Sequence, residues 1–257
     1  MNQKIDLNCD LGESFGPFKI GHDAKIMPFI TSANIACGFH SGDPSVMART
    51  VKLAKENGVA VGAHPGFSDL PGFGRRFINM SQNELKDAII YQIGALEAFA
   101  KAGKIDLQHI KPHGALYNAA VKDETYAEAV IEAIQEVNPE LILFALPHSE
   151  MKKMGTRAGL RVAHEAFIDR AYNPDGSLVS RSKKGAVISD TISAVERAMK
   201  IVKEKRVKAI DGQIVSFGEV HTLCVHGDTV NSVELAASVK KALGKSGCKV
   251  MSVGFFV

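Results

Sequence analysis

Short apolar runs alternate with longer amphipathic segments along the whole chain. The runs have the length of strands, and they predict strands at 4–9, 31–37, 59–61, 141–146, 161–167 and 220–225, another that ends at residue 110, and a closing strand at 249–257. Strands that alternate with amphipathic helices indicate parallel β/α units. The pattern therefore predicts one α/β domain over residues 1–257, a parallel β/α barrel with seven or eight strands.

Capping residues mark where helices begin and end. Asp43 followed by Pro44 predicts one helix start, and Ser81 with Glu84 has the spacing of a capping box. The predicted helices run from these starts to Gly58 and Gly103, over 123–137, over 188–202, and from an N-cap at Asp228 to about Gly244.

Composition narrows the function classes. Of the 257 residues, 46% are apolar and 23% are charged, and the net charge is +3 with no basic stripe, so we expect neither a nucleic-acid partner nor a membrane surface. The N-terminus leads into the first strand without an apolar leader. The cysteines are far apart and form no C-x-x-C pair, which favours reduced thiols in a cytoplasm: Cys9, Cys37, Cys224 and Cys248.

Residues of catalytic type collect where the predicted strands end. His40 lies between glycines in the stretch 34–43, and Gly62-Ala63-His64-Pro65-Gly66 repeats this form after the next strand. Either histidine alone is equally consistent with a core position. Because the active sites of β/α barrels lie at the C-terminal ends of the strands, we expect one site at this mouth, containing Asp10, His40, His64, His113, Glu165 and His226.

Asp10 is the acid that we expect to be essential. It follows directly from a buried strand, so its carboxylate starts on a rigid element. Glu13 lies beyond Gly12, where a flexible loop would position it less well. Asp228 has a sufficient structural role as the N-cap of the last helix.

The same residues raise the question of a metal. Asp10 with His40 and either His64 or His113 would give a carboxylate and two imidazoles, a set that suits zinc or a similar ion with a free position for water. A proton-relay cluster uses the same residue types. Both interpretations stay open.

Two irregular loops are expected near the mouth. Loop 65–76 carries Arg75 and Arg76, which would either clamp a carboxylate or phosphate or form a solvent-exposed basic pair. The turn signal at 173–176 introduces a polar loop, 177–185, that could fold over the site.

Five longer motifs resemble those of the LamB/YcsF family, which corresponds to the A subunit of the bacterial ATP-dependent 5-oxoprolinase. They occur in the family's order, span nearly the whole chain, and are Asn8-Cys9-Asp10-Leu11-Gly12-Glu13, Asn34-Ile35-Ala36-Cys37-Gly38-Phe39-His40 with Gly42-Asp43, Gly62-Ala63-His64-Pro65-Gly66, Lys111-Pro112-His113-Gly114-Ala115-Leu116-Tyr117 and Glu165-Ala166-Phe167 with Asp169-Arg170. One departure is Ile168, at a variable position where a small residue is expected.

The resemblance implies a barrel of the glycoside hydrolase/deacetylase type. It also implies hydrolysis of 5-oxo-L-proline to L-glutamate, coupled to cleavage of ATP to ADP and phosphate, together with B and C subunits. The expected cofactor is ATP, and a divalent metal is a possible second cofactor that the residues leave open. The chain has no Gly-x-x-x-x-Gly-Lys-Ser/Thr loop, so either ATP binds unconventionally in the mouth or the partner subunits bring part of its site.

We expect catalysis from one set of mouth residues and substrate binding from another. The catalytic set is Asp10, His40, His64, His113 and Glu165, and the substrate-binding set is Asn8, Arg75, Lys111, Asp169 and Arg170. Two alternatives remain. One is a non-catalytic subunit that binds 5-oxoproline or a sugar while a partner does the chemistry, and the other is a metal-dependent deacetylase of an acetylated sugar. The number of acids and histidines at the mouth favours an enzyme.

Overall fold

Parallel strands form the centre of the molecule in the computed structural model, which describes residues 3–229 and 231–257. In chain order the strands are β1 (Lys4–Leu11), β2 (Ser32–Ala36), β3 (Ala60–His64), β4 (Leu107–Ile110), β5 (Ile142–Ala145), β6 (Val162–Phe167), β7 (Arg206–Lys208), β8 (Ile214–Ser216), β9 (Thr222–His226) and β10 (Lys249–Val250). Strands β1 to β6 pair in sequence, β6 pairs with β9, and β9 pairs with β1. The predicted parallel barrel is confirmed, and it closes with seven strands.

Helices surround this barrel, and the predicted capping signals act as expected. The helices are α1 (Asp23–Ile26), α2 (Pro44–Asn57), α3 (Gln82–Gly103), α4 (Gly114–Lys122), α5 (Glu124–Val137), α6 (Glu150–Arg157), α7 (Thr191–Glu204) and α8 (Ser232–Lys245). The Asp43 carboxylate accepts the Val46 N–H at the start of α2, and Ser81 and Glu84 form both bonds of a capping box at the start of α3. Among the residues described, no helix is long and apolar enough to span a bilayer.

Several predicted element ends are wrong. The expected closing strand at 249–257 is only β10, followed by a 3₁₀ turn at Val253–Phe255. From Asp6 onward β1 pairs with β9, so only Lys4 and Ile5 are left to pair with β10. The expected N-cap of the last helix is also wrong: α8 begins after Asn231, and Asp228 instead forms an ion pair with Arg75.

Other elements were not predicted. Helices α4 and α6 and the antiparallel hairpin of β7 and β8 lie where no element was expected, and α7 begins at Thr191 and leaves Ile188 outside. The expectation that no leader precedes the first strand rests on Met1 and Asn2, which lie outside the described residues.

The interior of the barrel is polar along β1, and the main apolar core lies between the strands and the helices. A smaller apolar cluster, which includes Phe144, is separate from that core. In β1 the apolar side chains of Ile5, Leu7, Cys9 and Leu11 belong to the main buried apolar cluster. The alternate residues Asp6, Asn8 and Asp10 point into the barrel, since successive strand residues face opposite sides. The barrel therefore carries a column of polar groups towards its mouth.

Candidate active site

The lower part of this column is a hydrogen-bonded cluster that we call the barrel network: Asp6, Asn8, Ser32, Asn34, His109, Glu165 and Thr222. The Asn8 amide donates to Glu165 Oε1 at 3.1 Å and to Thr222 Oγ1 at 2.7 Å. Its oxygen accepts from Asn34 Nδ2 at 2.7 Å, and Asn34 Oδ1 lies 2.7 Å from His109 Nε2. Asn34 Nδ2 also donates to Asp10 Oδ1 at 2.8 Å. Both amides thus use all their donors, and the bonds fix side chains from five strands relative to one another.

The His109 ring occupies space that only a glycine in the neighbouring strand leaves free. A Cβ atom at Gly62 would lie 2.1 Å from the His109 ring, so β3 can carry only glycine there. The ring stacks on Phe144 with the centroids 4.2 Å apart. Burial lowers the pKa of His109 to about 3, so this imidazole is neutral.

Lys111 lies above the network and links it to Asp10. Its Nζ is 2.8 Å from Asp10 Oδ1, 3.1 Å from Glu165 Oε1 and 2.9 Å from Cys224 Sγ. Burial opposes the charged amine, yet these neighbours hold the pKa of Lys111 well above its ordinary value. Burial likewise opposes ionisation of Asp10, but His64 and Lys111 hold the pKa of its carboxyl well below the usual range. An ionised ammonium–carboxylate pair results.

The next group is the histidine cluster, which we define as Glu13, His40, His64 and His113. The His40 and His113 rings stack with the centroids 3.8 Å apart, and His64 meets His113 edge-on. His64 Nε2 lies 3.3 Å from Asp10 Oδ2 and 3.0 Å from His113 Nδ1. The structure therefore brings the three predicted histidines and Asp10 to one place.

The outer nitrogens of two of these rings are held by backbone carbonyls. His64 Nδ1 lies 2.6 Å from the Lys111 carbonyl oxygen, and His113 Nε2 lies 2.9 Å from that of Phe73. A carbonyl only accepts, so both of these nitrogens carry a hydrogen. In the neutral His113 ring the lone pair is then on Nδ1, which faces His64 Nε2 at 3.0 Å.

His40 and Glu13 complete the cluster without hydrogen bonds of their own. Neither ring nitrogen of the buried His40 has a partner among the described residues. Glu13 Oε1 lies 3.8 Å from His40 Nε2 and 3.7 Å from His113 Nδ1. Burial, together with the charge of Asp10, raises the pKa of Glu13 well above its usual value, and burial lowers the pKa of His40 and His113.

The expectation that a flexible loop would position Glu13 poorly is wrong. Glu13 is buried, with 4% of its surface exposed. Gly12 turns the chain inward with a φ of +69°, a conformation that favours glycine, and its N–H donates to Asp23 Oδ2 at 3.0 Å. Glu13, rather than Asp10, is therefore the carboxylate that shares a cation-sized space with all three histidines.

A cavity of about 670 Å³ opens over this floor. Of the predicted site residues, Asp10, His64, Arg75, Lys111, His113, Arg170 and His226 line it. The others lie behind these: Glu165 accepts from the Tyr117 hydroxyl at 2.9 Å, and Asp169 holds the His226 ring at 2.9 Å. In this structure Asn8, His40, Glu165 and Asp169 thus contact the lining residues and not the cavity itself.

The two arginines of loop 65–76 have different positions. The Arg75 guanidinium lies over the Phe73 ring, pairs with Asp228 at 2.5 Å, and lines the cavity. Arg76 is mostly exposed and holds Asp69, which fixes the loop from outside. Only Arg75 is placed to meet a ligand.

Loop 177–185 lies along the cavity, as its polar sequence suggested. Residues 177–182 line one wall. Arg170 anchors the loop by donating to the carbonyls of Val179, at 2.6 Å, and Ala186. Burial lowers the pKa of Arg170 to about 10, which leaves the guanidinium charged at neutral pH.

Comparison with known proteins identifies the family of this chain. The model of the LamB/YcsF family matches residues 5–255. The chain belongs to the LamB/YcsF family. A relative from Pyrococcus abyssi, named as the A subunit of 5-oxoprolinase, is 54% identical over 99% of this chain and 99% of its own length. The lactam utilization protein of Thermus thermophilus is 47% identical, with a TM-score of 0.91 over 97% of this chain and 99% of that one.

A more distant structure shows the fold alone. A cellobiose-phosphate cleavage protein from Enterococcus faecalis is 12% identical and superposes with a TM-score of 0.62 over the full length of both chains. Within this LamB/YcsF chain, the unexpected Ile168 is fully buried, and the flanking Phe167 and Asp169 are buried as well.

Sequence reasoning missed several residues of the site, namely Asn34, His109, Tyr117 and Thr222. One signal was available, because the alternation of Asp6, Asn8 and Asp10 in a strand places polar side chains on a single face. The partners of that face lie on other strands and carry no local signal.

Proposed function

We propose that this chain is the A subunit of an ATP-dependent 5-oxoprolinase, which opens the lactam ring of 5-oxo-L-proline to give L-glutamate. Its relatives at 52–54% identity over nearly the whole chain carry that name. The observation that carries the proposal is the floor of the cavity, where an ionised Asp10 lies between Lys111 and His64. A carboxylate, an ammonium and an imidazole at one point are the groups that hydrolysis of an amide requires.

Each floor residue has a role in this reaction. The Asp10 carboxylate orients the attacking water and accepts its proton, and His64 Nε2 lies beside that carboxylate at 3.3 Å. The Lys111 ammonium keeps Asp10 ionised and stabilises negative charge on the lactam oxygen. His113 is held by the Phe73 carbonyl and fixes the orientation of His64. Glu165 and Asn8 hold Lys111 from below.

ATP makes the resistant lactam a better electrophile, and we place it in the same cavity. A volume of about 670 Å³ is within the usual range for sites of large ligands, and it leaves room beside a single small lactam. Cationic side chains line the cavity above the floor: Arg75, Lys122, Arg170 and Arg181. In the net reaction one water opens the ring and a second is consumed in the cleavage of ATP to ADP and phosphate.

A divalent metal fits the histidine cluster. The cluster offers a carboxylate and three imidazoles, two of them with their inner nitrogens 3.0 Å apart and one with both nitrogens unpartnered among the described residues. His40, His64, His113 and Glu13 would hold the ion, and a bound metal would lower the pKa of a water at the cavity floor. This differs from the expected set of Asp10, His40 and His64, because Asp10 is already engaged by Lys111 and Asn34.

The B and C subunits belong to the same proposal, because the name of the relatives describes one subunit of a larger assembly. The test is glutamate release from 5-oxoproline and ATP, measured for this chain alone and after addition of both partners. We expect full turnover only in the assembly, with one ADP formed per glutamate. Full turnover by the isolated chain would rule out the need for partners, and no glutamate from the assembly would rule out the proposed substrate.

The metal is tested separately. We expect elemental analysis of the purified chain to find about one equivalent of a divalent ion that a chelator removes, and His40→Leu to lower that content. The matched control is His109→Leu, which removes an equally buried histidine outside the cluster. Equal metal content in both variants would count against the site.

A further inference from the structure

Arg181 lies in the middle of loop 177–185, and its side chain lines the cavity. The other cationic residues of the lining already have partners. Lys111 is paired with Asp10, Arg75 with Asp228 and Lys122 with Asp175, and Arg170 donates to backbone carbonyls. Within residues 3–229 and 231–257, the Arg181 guanidinium has neither a carboxylate nor a carbonyl partner. It is an uncompensated charge directed at a ligand-sized space.

The loop is built to hold this charge in place. Arg170 fixes Val179, two residues before Arg181, and Asn173 donates to Ser177 Oγ and to the Leu178 carbonyl. Arg181 also acts on the strand ends: its charge lowers the pKa of Asp169, after the larger effects of burial and His226, and that of Arg170, after burial. The guanidinium therefore lies within electrostatic range of the residues at the strand ends.

Two hydroxyls flank the charge. Ser180 Oγ and Ser182 Oγ lie 2.9 Å apart, and both residues line the cavity. A planar guanidinium with adjacent hydroxyl donors matches an oxyanion that accepts several hydrogen bonds at once. Arg75 is a weaker candidate for this task, because Asp228 already neutralises it at 2.5 Å.

We propose that Arg181, with Ser180 and Ser182, is the anion-binding element of the site and holds an oxyanion of the ligand against the cavity floor. The inference rests on the proposed function, in which both ligands are anions. The carboxylate of 5-oxoproline and the phosphates of ATP offer the same chemistry. The loop thereby supplies binding energy while the residues at the strand ends carry out the reaction.

The experiment compares Arg181→Gln with Lys183→Gln in the assembled enzyme. Lys183 lies on the same loop and is exposed, and it does not line the cavity, so the control removes an equal charge. For Arg181→Gln we expect one Michaelis constant to rise about 10- to 100-fold, which corresponds to a lost hydrogen-bonded charge, with little change in kcat. A rise for 5-oxoproline identifies the carboxylate as the bound group, and a rise for ATP identifies a phosphate.

Arg181→Lys adds a further test. It keeps the charge but loses the planar fork, so we expect it to restore only part of the affinity. Both Michaelis constants of Arg181→Gln remaining within about two-fold of those of Lys183→Gln would overturn the proposal. Dissociation constants of 5-oxoproline, ATP and inorganic phosphate, measured calorimetrically on the same variants, test Arg181 even if the assembly releases no glutamate. Equal constants for Arg181→Gln and Lys183→Gln would again overturn it.

Discussion

The barrel network and the histidine cluster are adjacent groups of buried polar side chains. They differ in how many of their polar atoms have hydrogen-bond partners. In the barrel network each amide hydrogen of Asn8 and Asn34 has an acceptor, and the one unpartnered side-chain atom is His109 Nδ1. In the histidine cluster both nitrogens of His40 are unpartnered among the described residues, and Glu13 approaches the His40 and His113 rings only to 3.8 Å and 3.7 Å. The cluster thus keeps polar atoms free at a cost in stability.

This contrast separates structural from functional polar groups. A satisfied network rigidifies the strands that carry it. An unsatisfied one persists where a ligand, an ion or a transferred proton completes it. The position of each group agrees with this assignment, since the structural network lies deep in the barrel and the functional cluster borders the cavity.

The largest effect is expected at Asp10, where the two regions meet. Asp10→Asn keeps the shape and one acceptor for Asn34 but removes the charge that Lys111 and His64 stabilise. We expect turnover of the assembled enzyme to fall about 10²- to 10⁴-fold, as for loss of a general base. Steady-state kinetics and the melting temperature are measured side by side.

Glu219→Gln is the control for this change, because Glu219 is exposed and remote from the cavity. Near-normal turnover of Asp10→Asn would refute the catalytic role. A loss of stability in proportion to the loss of activity would instead assign Asp10 to the barrel network.

A pH-dependent effect on stability is expected at Asp6, at the base of the barrel network. Burial raises its pKa from 3.8 to about 6, against the hydrogen bonds from Thr222, Thr31 and Ser32. The folded protein thus holds a proton that the unfolded chain releases, so this stabilisation is complete below pH 3.8 and is lost as the pH rises through about 6. The loss amounts to about 3 kcal/mol.

Asp6→Asn removes this titration. Urea unfolding over that pH range should show the variant gaining about 3 kcal/mol relative to the wild type as the pH rises. Asp43→Asn is the control, because the N–H groups of Gly16 and Val46 lower the pKa of Asp43, and its pH dependence has the opposite sign. Parallel curves for Asp6→Asn and the wild type would show that Asp6 is not protonated in the folded state.

The smallest expected effect is a difference in unfolding free energy between variants of two fully buried histidines, one from each region. His109→Leu leaves the Asn34 oxygen without its donor and should cost about 1–3 kcal/mol of unfolding free energy. His40→Leu removes two unpartnered nitrogens, so in the presence of a chelator we expect stability within about 1 kcal/mol of the wild type. Equal destabilisation by both changes would mean that His40 has a structural role.

The sequence predicted the barrel and the strand ends better than it predicted contacts across the barrel. Asp10, His64 and His113 lie where alternation and strand ends placed them, since these signals are local. Glu13 was misjudged because the turn at Gly12 brings it inward against His40 from the loop after β2, His64 from β3 and His113 from the segment after β4, which are distant in sequence. Asp228 looked like a helix cap, but its partner Arg75 comes from a loop after β3.

The direct pairing of β6 with β9 leaves the whole excursion from 168 to 221 outside the barrel sheet. That excursion carries the anchoring Arg170, the loop with Arg181, the helix α7 and the hairpin of β7 and β8. Insertions or deletions in it shift no strand register, because Glu165 opposite Thr222 closes the barrel whatever lies between them. A change in this one segment can therefore alter what the cavity binds without moving the acids, lysine and histidines that the other strands carry.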